Sequence, residues 1–158
     1  MNAESEEAVA FLAEPTSEVK AKTSMPVDVS QQKESFWSWR LRMVERIAQS
    51  LDPDRFGVAG FYIFGSTKNA TAGIASDIDV LIHFRGAPEQ LDRLNHWLEG
   101  WSYCLSEMNY LRTGYRSAGL LDVHIVSDDD IAAKSGYAAK IGAITDAAQP
   151  LQMMSRKE

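Results

Sequence analysis

The sequence has only one cysteine, Cys104, and no apolar run long enough to span a membrane. A single cysteine cannot form a disulfide within the chain, which is typical of proteins from a reducing compartment. The first residues are acidic rather than basic, so a secretory signal peptide is not indicated. With neither a membrane span nor a signal peptide, the sequence predicts a cytoplasmic protein that does not bind membranes.

Clusters of lysine and arginine are also lacking. The formal net charge is −6 and the isoelectric point is near 5.1. A protein that follows a long nucleic acid usually presents a basic face, which neutralises the phosphates. The composition therefore argues against an enzyme that acts on duplex DNA.

Sustained hydrophobic periodicity is missing from residues 1–29, which are rich in Glu, Ala, Ser and Thr. This segment is predicted to be a flexible acidic tail or an interdomain linker, and a linker would make the chain the end piece of a larger protein. Residues 30–150 are long enough for one domain with its own hydrophobic core. We expect a short C-terminal tail over residues 151–158.

The apolar residues of the predicted domain are spaced as in alternating helices and strands. Three- and four-residue steps over residues 30–51 and 89–111 predict two amphipathic helices. Short, strongly apolar runs predict strands over residues 57–64, 77–84 and 120–126. The predicted fold is α/β (α+β), with a small, mixed, twisted sheet of at least three strands and helices packed on it.

The most informative motif stands between the first two predicted strands. Gly65-Ser66 follows the first strand, and after ten residues Asp77-Ile78-Asp79 opens the second. Because alternate side chains of a strand share a face, Asp77 and Asp79 are expected to point the same way. Two converging carboxylates repel each other unless a cation lies between them, and such hard oxygen ligands suit Mg²⁺ with substrate phosphates. The alternative is a polar turn with solvated aspartates.

The Gly-Ser pair has the properties of a phosphate-binding turn. Gly65 lets the backbone approach a ligand closely, and Ser66 offers an N–H and a hydroxyl at the start of a helix. We predict that this short helix covers residues 67–72, with Gly73 as its C-cap. Lys68 either reaches a phosphate from this helix or is a solvated surface lysine.

The run from Phe64-Gly65-Ser66 to Asp77-Ile78-Asp79 resembles the signature of the DNA polymerase beta-like nucleotidyltransferase superfamily. The ten-residue gap is most similar to the minimal nucleotidyltransferases, which include antitoxin-type proteins and are related to kanamycin nucleotidyltransferase. The resemblance covers residues 57–126 and implies the polymerase beta-like palm fold. It also implies a third carboxylate on a later strand. Asp122 fits, because an aspartate within an apolar strand is costly unless it is paired or metal-bound; a solvent-facing aspartate at a strand edge is the alternative.

The resemblance implies a Mg²⁺-dependent enzyme that moves a nucleoside monophosphate, AMP by default, from a nucleoside triphosphate to a hydroxyl acceptor and releases pyrophosphate. The residues with implied catalytic and metal-binding roles, at a site for two Mg²⁺ ions, are Asp77, Asp79 and Asp122. The residues with an implied role in binding ATP are Gly65, Ser66 and Lys68. The alternative is a nucleotide-binding interaction or regulatory module with little turnover.

Two further points concern the surroundings of the site. His83 and His124 share a sheet face with the aspartates, so they either border the pocket or are ordinary strand histidines. Only about thirty residues follow residue 126, too few for the added helical domain with which larger relatives recognise an acceptor. We therefore expect a partner protein, a second subunit or a missing domain to complete the acceptor site.

Overall fold

A four-stranded mixed sheet lies at the centre of the structure, a computed structural model that describes residues 29–155. The predicted tail over residues 1–29 lies outside this range except for Val29, and the predicted C-terminal tail is described only over residues 151–155. Both tails, and the domain bounds derived from them, stay predictions. Among the helices of the described range, none is both long enough and apolar enough to cross a bilayer.

The strands occur in the order β3-β2-β1-β4 across the sheet. β2 and β3 are parallel, whereas β1 runs antiparallel to both of its neighbours. The predicted mixed α/β architecture is confirmed, with the addition of β4, which is too short to leave a periodic signal in the sequence. The bounds are β1 (Val58–Phe64), β2 (Ile78–Phe84), β3 (Leu121–Val126) and β4 (Gln149–Pro150).

Helices precede, connect and follow the strands. The longest one joins the parallel strands β2 and β3, because a parallel pair needs a crossover that returns the chain to the same end of the sheet. The bounds are α1 (Val29–Ser50), α2 (Pro53–Phe56), α3 (Gly65–Lys68), α4 (Pro88–Thr113), α5 (Asp128–Ala133) and a 3₁₀ helix (Gly136–Lys140).

The two faces of the sheet are covered differently. One face carries Ile63, Val80 and Ile82, which are fully buried in one apolar cluster with residues of α1 and α4. The other face carries Phe64 and Leu81, which pack against small residues of the chain after β3. Because side chains alternate along a strand, the polar residues at positions 79, 122 and 124 lie on this second face.

The short helix after β1 differs from the prediction. It covers only Gly65–Lys68 rather than residues 67–72, and its C-cap is Asn69 instead of Gly73. Ala70 has a φ of +58°, a left-handed conformation that ends the helix after one turn. Gly73 instead donates its N–H to Ser76 Oγ at 2.8 Å, in the loop that leads into β2.

Candidate active site

The predicted carboxylates of two different strands lie side by side. Asp79 of β2 and Asp122 of β3 are partners in the parallel ladder, so their side chains project from neighbouring positions on the same face. Together with His124 they each offer a ligand atom, and these atoms lie within 4.8 Å of one another. This is a compact group of two carboxylates and one imidazole that could hold a metal ion.

Electrostatic repulsion acts within this group. Burial raises the pKa of Asp79, and the charges of Asp122 and Asp77 raise it further. Burial and then the charge of Asp122 also raise the pKa of Asp77. Electrostatic interactions with His124 and Lys140 act in the opposite direction on the pKa of Asp79. A divalent cation at this point would remove the repulsion and favour the ionised carboxylates.

Asp77 lies outside the compact group. It is exposed and directly precedes β2, whereas Asp79 is half-buried within the strand. Its charge nevertheless acts on Asp79, which places it in the same electrostatic neighbourhood. The structure therefore brings Asp79 and Asp122 together directly and leaves Asp77 at the rim.

The loop before Asp77 is held by two fully buried polar side chains, Arg40 of α1 and Asn109 of α4. The Arg40 guanidinium donates hydrogen bonds to the carbonyl oxygens of Ser76 at 3.1 Å and Ile74 at 3.3 Å. Asn109 Nδ2 donates to the carbonyl of Ile74 at 3.0 Å, and Asn109 Oδ1 accepts from Arg40 at 3.3 Å. We call this arrangement the Arg40–Asn109 clamp; it fixes the backbone immediately before the first aspartate.

The Arg40 guanidinium stays charged despite its burial. Burial lowers the pKa of Arg40 to about 10, while the negative charge of Asp77 opposes that shift. The ring of Trp39 lies 4.9 Å from the Arg40 guanidinium carbon, at a distance suited to a cation–π interaction. The clamp therefore brings a permanent positive charge close to the aspartates.

His124 has an unsatisfied nitrogen that faces the carboxylates. Its Nε2 lies 3.2 Å from Asp122 Oδ2, yet it is buried and makes no hydrogen bond within the described residues. The imidazole is held in place by the Tyr137 ring at 3.8 Å and the Phe64 ring at 5.6 Å between centroids. A buried nitrogen without a hydrogen-bond partner, next to two carboxylates, fits a site for a divalent cation.

Gly65 lies directly against Asp79. It has a φ of +70°, and a Cβ built on it would overlap Asp79 Oδ2. Only glycine combines this conformation with such a close approach. Ser66 follows in α3, and its carbonyl oxygen accepts hydrogen bonds from the N–H groups of Thr71 and Ala72. The Gly-Ser turn is thus adjacent to the carboxylates, as its position after β1 predicted.

Lys68 and His83 have partners away from the carboxylates. Lys68 Nζ donates to Asp146 Oδ1 at 2.8 Å and to the carbonyl of Ala147 at 2.9 Å. His83 Nε2 lies 2.6 Å from an oxygen of Asp128, which also pairs with Arg85. His83 therefore belongs to a separate ion-pair group, while the role of Lys68 toward a phosphate stays a prediction.

Neither Lys140 nor the clamp was predicted from the sequence. Lys140 lies fourteen residues after β3, in a stretch without hydrophobic periodicity, so nothing in its surroundings marks it. Arg40 could have been noticed, because it shares a helical face with Val44, Ile47 and Leu51, where a charge is unexpected. The sequence allows two interpretations of His124, a residue that borders the pocket or an ordinary strand histidine. Only the packing against Tyr137 decides its position.

A cavity of about 340 Å³ opens beside this cluster. It is lined by residues 123–126 of β3 and by Tyr137. Asp130 and Ser135 supply polar groups to its wall. The imidazole of His124 therefore has the carboxylates on one side and open space on another.

A known protein family matches part of the chain that forms this site. The model of the family described as nucleotidyltransferase domain matches residues 41–121, a range that contains the Gly-Ser turn, Asp77, Asp79 and Asn109 of the clamp. The match ends one residue before Asp122, so the proximity of that aspartate is known from the fold alone.

Among solved structures, the chain is similar to a provisionally assigned nucleotidyltransferase from Sulfolobus solfataricus. The two are 17% identical over 70% of this chain and 84% of that chain, with a TM-score of 0.30. No curated protein matches the sequence. Because the family match covers more than half of the residues and confirms the resemblance found in the sequence, the chain belongs to the nucleotidyltransferase domain family.

Proposed function

We propose that this domain transfers a nucleoside monophosphate, by default AMP, from a nucleoside triphosphate to a hydroxyl acceptor and releases pyrophosphate. The observation that supports the proposal best is the in-register pair of Asp79 and Asp122 beside the Gly65 turn. The charge of Asp122 raises the pKa of Asp79, and such crowding of carboxylates is costly for a protein that does not use it, so their proximity favours a site for cations and phosphates.

The residues present fit a divalent cation. Asp79, Asp122 and the Nε2 of His124 would hold it, with Asp77 at the rim for a second ion. Bound there, Mg²⁺ would stabilise the charge that develops on the attacking and departing oxygens. Because an imidazole nitrogen suits Mn²⁺ better than Mg²⁺, we expect Mn²⁺ to support the reaction as well.

The chain's own residues would position the reactants. The backbone of Gly65 and Ser66 would bind the β- and γ-phosphates, since Gly65 allows close approach at the edge of the carboxylate group. The acceptor oxygen would form a bond to the α-phosphorus while the bond to the bridging oxygen of pyrophosphate breaks. Asp122, which is exposed on the outermost strand, would receive the proton of the acceptor hydroxyl.

The acceptor would be held partly by another molecule. The described residues after β3 form only a short α5, one 3₁₀ helix and the two-residue β4. Ala138 and Ala148 of this segment are buried with the sheet residues Phe64 and Leu81, whereas most of its other residues are exposed. We propose that a partner protein or a second subunit supplies the remaining wall.

The test is to measure pyrophosphate release from each of the four nucleoside triphosphates with Mg²⁺ or Mn²⁺, in the presence of an extract of the source cell as the supply of acceptors. We expect release with at least one nucleotide. Asp79→Asn and Asp122→Asn are each expected to lower it by about 100-fold or more, because each removes charge from the reacting centre.

The matched control is Asp92→Asn, which makes the same chemical change at an exposed position of α4. It is expected to leave the rate unchanged. Nucleotide binding without pyrophosphate release from any mixture would instead support the regulatory-module interpretation. Release that is insensitive to both Asp79→Asn and Asp122→Asn would contradict the proposed site.

A further inference from the structure

Three donors converge on the carboxylate of Asp146 at the edge of the site. Lys68 Nζ donates at 2.8 Å, Asn69 Nδ2 at 3.2 Å and Lys140 Nζ at 3.4 Å. These hydrogen bonds lower the pKa of Asp146 to about 2, so it is an anion at any neutral pH. We call Lys68, Lys140 and Asp146 the lysine–aspartate bridge.

The bridge adjoins the Gly-Ser turn. Lys68 is the last residue of α3, which begins at Gly65, the glycine that touches Asp79. Lys140 Nζ lies 5.3 Å from the centre of the Phe64 ring, one residue before that glycine. The charge of Lys140 also acts on Asp79. The ammonium groups of Lys68 and Lys140 therefore flank the turn proposed to bind phosphates, and both pair with the carboxylate of Asp146.

The contacts of Asp146 suit an exchangeable partner better than a structural one. Its side chain is about half exposed, and exposed ion pairs contribute little to stability. A triphosphate carries more negative charge than one carboxylate and offers several acceptor oxygens to the same donors. The ammonium groups would therefore favour the triphosphate when both anions compete.

We propose that Asp146 is an internal substitute for phosphate, which holds Lys68 and Lys140 in place until the β- and γ-phosphates of a nucleoside triphosphate displace its carboxylate. This inference rests on the proposed function and adds Lys140 and Asp146 to the groups that govern nucleotide binding. The ligand that exchanges with Asp146 is a polyphosphate chain, and a nucleoside monophosphate does not reach the bridge.

The experiment measures equilibrium binding of α,β-methylene-ATP, inorganic tripolyphosphate and AMP, each with Mg²⁺, to the full chain. Asp146→Asn is expected to bind the first two about 3- to 10-fold more tightly than the wild type, because a competing anion is removed. Binding of AMP is expected to stay unchanged. Lys140→Gln is expected to weaken binding of both polyphosphates by about 10-fold.

Two matched controls separate this effect from a change in overall charge. Asp129→Asn removes one exposed negative charge from α5, and Lys134→Gln removes one exposed positive charge after it. Neither is expected to change binding. If Asp129→Asn strengthens binding as much as Asp146→Asn does, or if Asp146→Asn binds polyphosphate no more tightly than the wild type, the inference is wrong.

The two proposals can fail separately. A wild type that binds none of the four nucleoside triphosphates would overturn the proposed function, and the bridge inference with it. A wild type that binds them, with an Asp146→Asn variant that binds more weakly, would overturn only the bridge inference, because Asp146 would then be a structural anchor for the lysines. Urea unfolding of each variant verifies that the fold is intact.

Discussion

At the scale of single residues, Gly65 is required both by its backbone conformation and by its contact with the site. Its left-handed φ disfavours a side chain, and the space where a Cβ would lie is already filled by the Asp79 carboxylate. Gly114, at the C-terminus of α4, has a similar φ of +76° but no atom within 4 Å of its Cβ position. A comparison of Gly65 with Gly114 therefore separates the effect of backbone strain from the effect of contact with the site.

We predict that Gly65→Ala lowers nucleotidyl transfer by about 100-fold, because even a 1 Å displacement of Asp79 misplaces the reacting groups. Gly114→Ala is expected to lower the free energy of unfolding by about 1 kcal/mol and to leave transfer unchanged. Pyrophosphate release and urea denaturation provide the two measurements. Equal activity in both variants would mean that the contact between Gly65 and Asp79 is not needed.

The sequence could indicate Gly65, Ser66, Asp77 and Asp79 because they lie close together in one motif. The proximity of His124 depends on a ring contact with Tyr137, which no local pattern predicts. Asp146 was missed for the same reason, since its partners at positions 68 and 69 are more than seventy residues away in the chain.

At the scale of elements, the Arg40–Asn109 clamp joins α1 and α4 to the loop before β2. The contacts made by Arg40 satisfy carbonyl oxygens that no strand or helix pairs. Its removal would leave the Ser76 carbonyl and Asn109 Oδ1 without this donor, while the Ile74 carbonyl would keep the hydrogen bond from Asn109 Nδ2. The clamp therefore links the stability of two helices to the position of Asp77.

We predict that Arg40→Met lowers the free energy of unfolding by about 2–4 kcal/mol, because buried polar groups lose their partners. The same variant is expected to weaken Mg²⁺-dependent transfer, since the backbone before Asp77 is released. Arg42→Met, on the exposed side of the same helix, is the control and is expected to change neither property. An Arg40→Met protein of wild-type stability would contradict the proposed role of the clamp.

The long elements were predictable because periodicity and apolar runs mark them. The helix predicted over residues 89–111 is Pro88–Thr113, and the strand predicted over 120–126 is Leu121–Val126. The prediction for the helix after Gly65 was wrong, because nothing in residues 67–72 indicates the left-handed Ala70. Its shape depends on Ser66, whose carbonyl is shared by two later N–H groups.

At the scale of the whole molecule, the cluster of carboxylates affects folding stability. The folded-state pKa of Asp79 is raised above its ordinary value. A raised pKa favours the protonated group in the native state, so this contribution is present below about pH 4 and is lost as pH rises through the raised pKa. At neutral pH and without metal, the ionised cluster therefore lowers stability.

We predict that Asp79→Asn is more stable than the wild type at pH 7 in the presence of EDTA, and that the difference shrinks as pH falls toward 3. Addition of Mg²⁺ is expected to stabilise the wild type more than the variant, because only the wild type has the full set of ligands. Urea midpoints across the pH range provide the measurement, with Asp92→Asn as the control. A variant that is less stable at pH 7 without metal would show that Asp79 has a structural role instead.

The overall architecture followed from the sequence, but the register of the strands did not. Three apolar runs and two amphipathic helices limit the fold to a small α/β sheet, and that prediction is confirmed. The register that places Asp79 opposite Asp122 joins residues 43 positions apart in the chain, so it is a property of the assembled sheet. Local sequence patterns do not indicate this register.

Different segments of the chain supply the carboxylates and the lysine–aspartate bridge, and this separation has an evolutionary consequence. The carboxylates come from the paired strands β2 and β3, whereas Lys140 and Asp146 come from a later segment that rests on the sheet through small residues such as Ala138 and Ala148. Substitutions within that later segment can change which anion binds to its lysine, while β2 and β3 keep their register. Descendants of this chain could thus acquire new preferences for the phosphate chain and inherit the reaction centre intact.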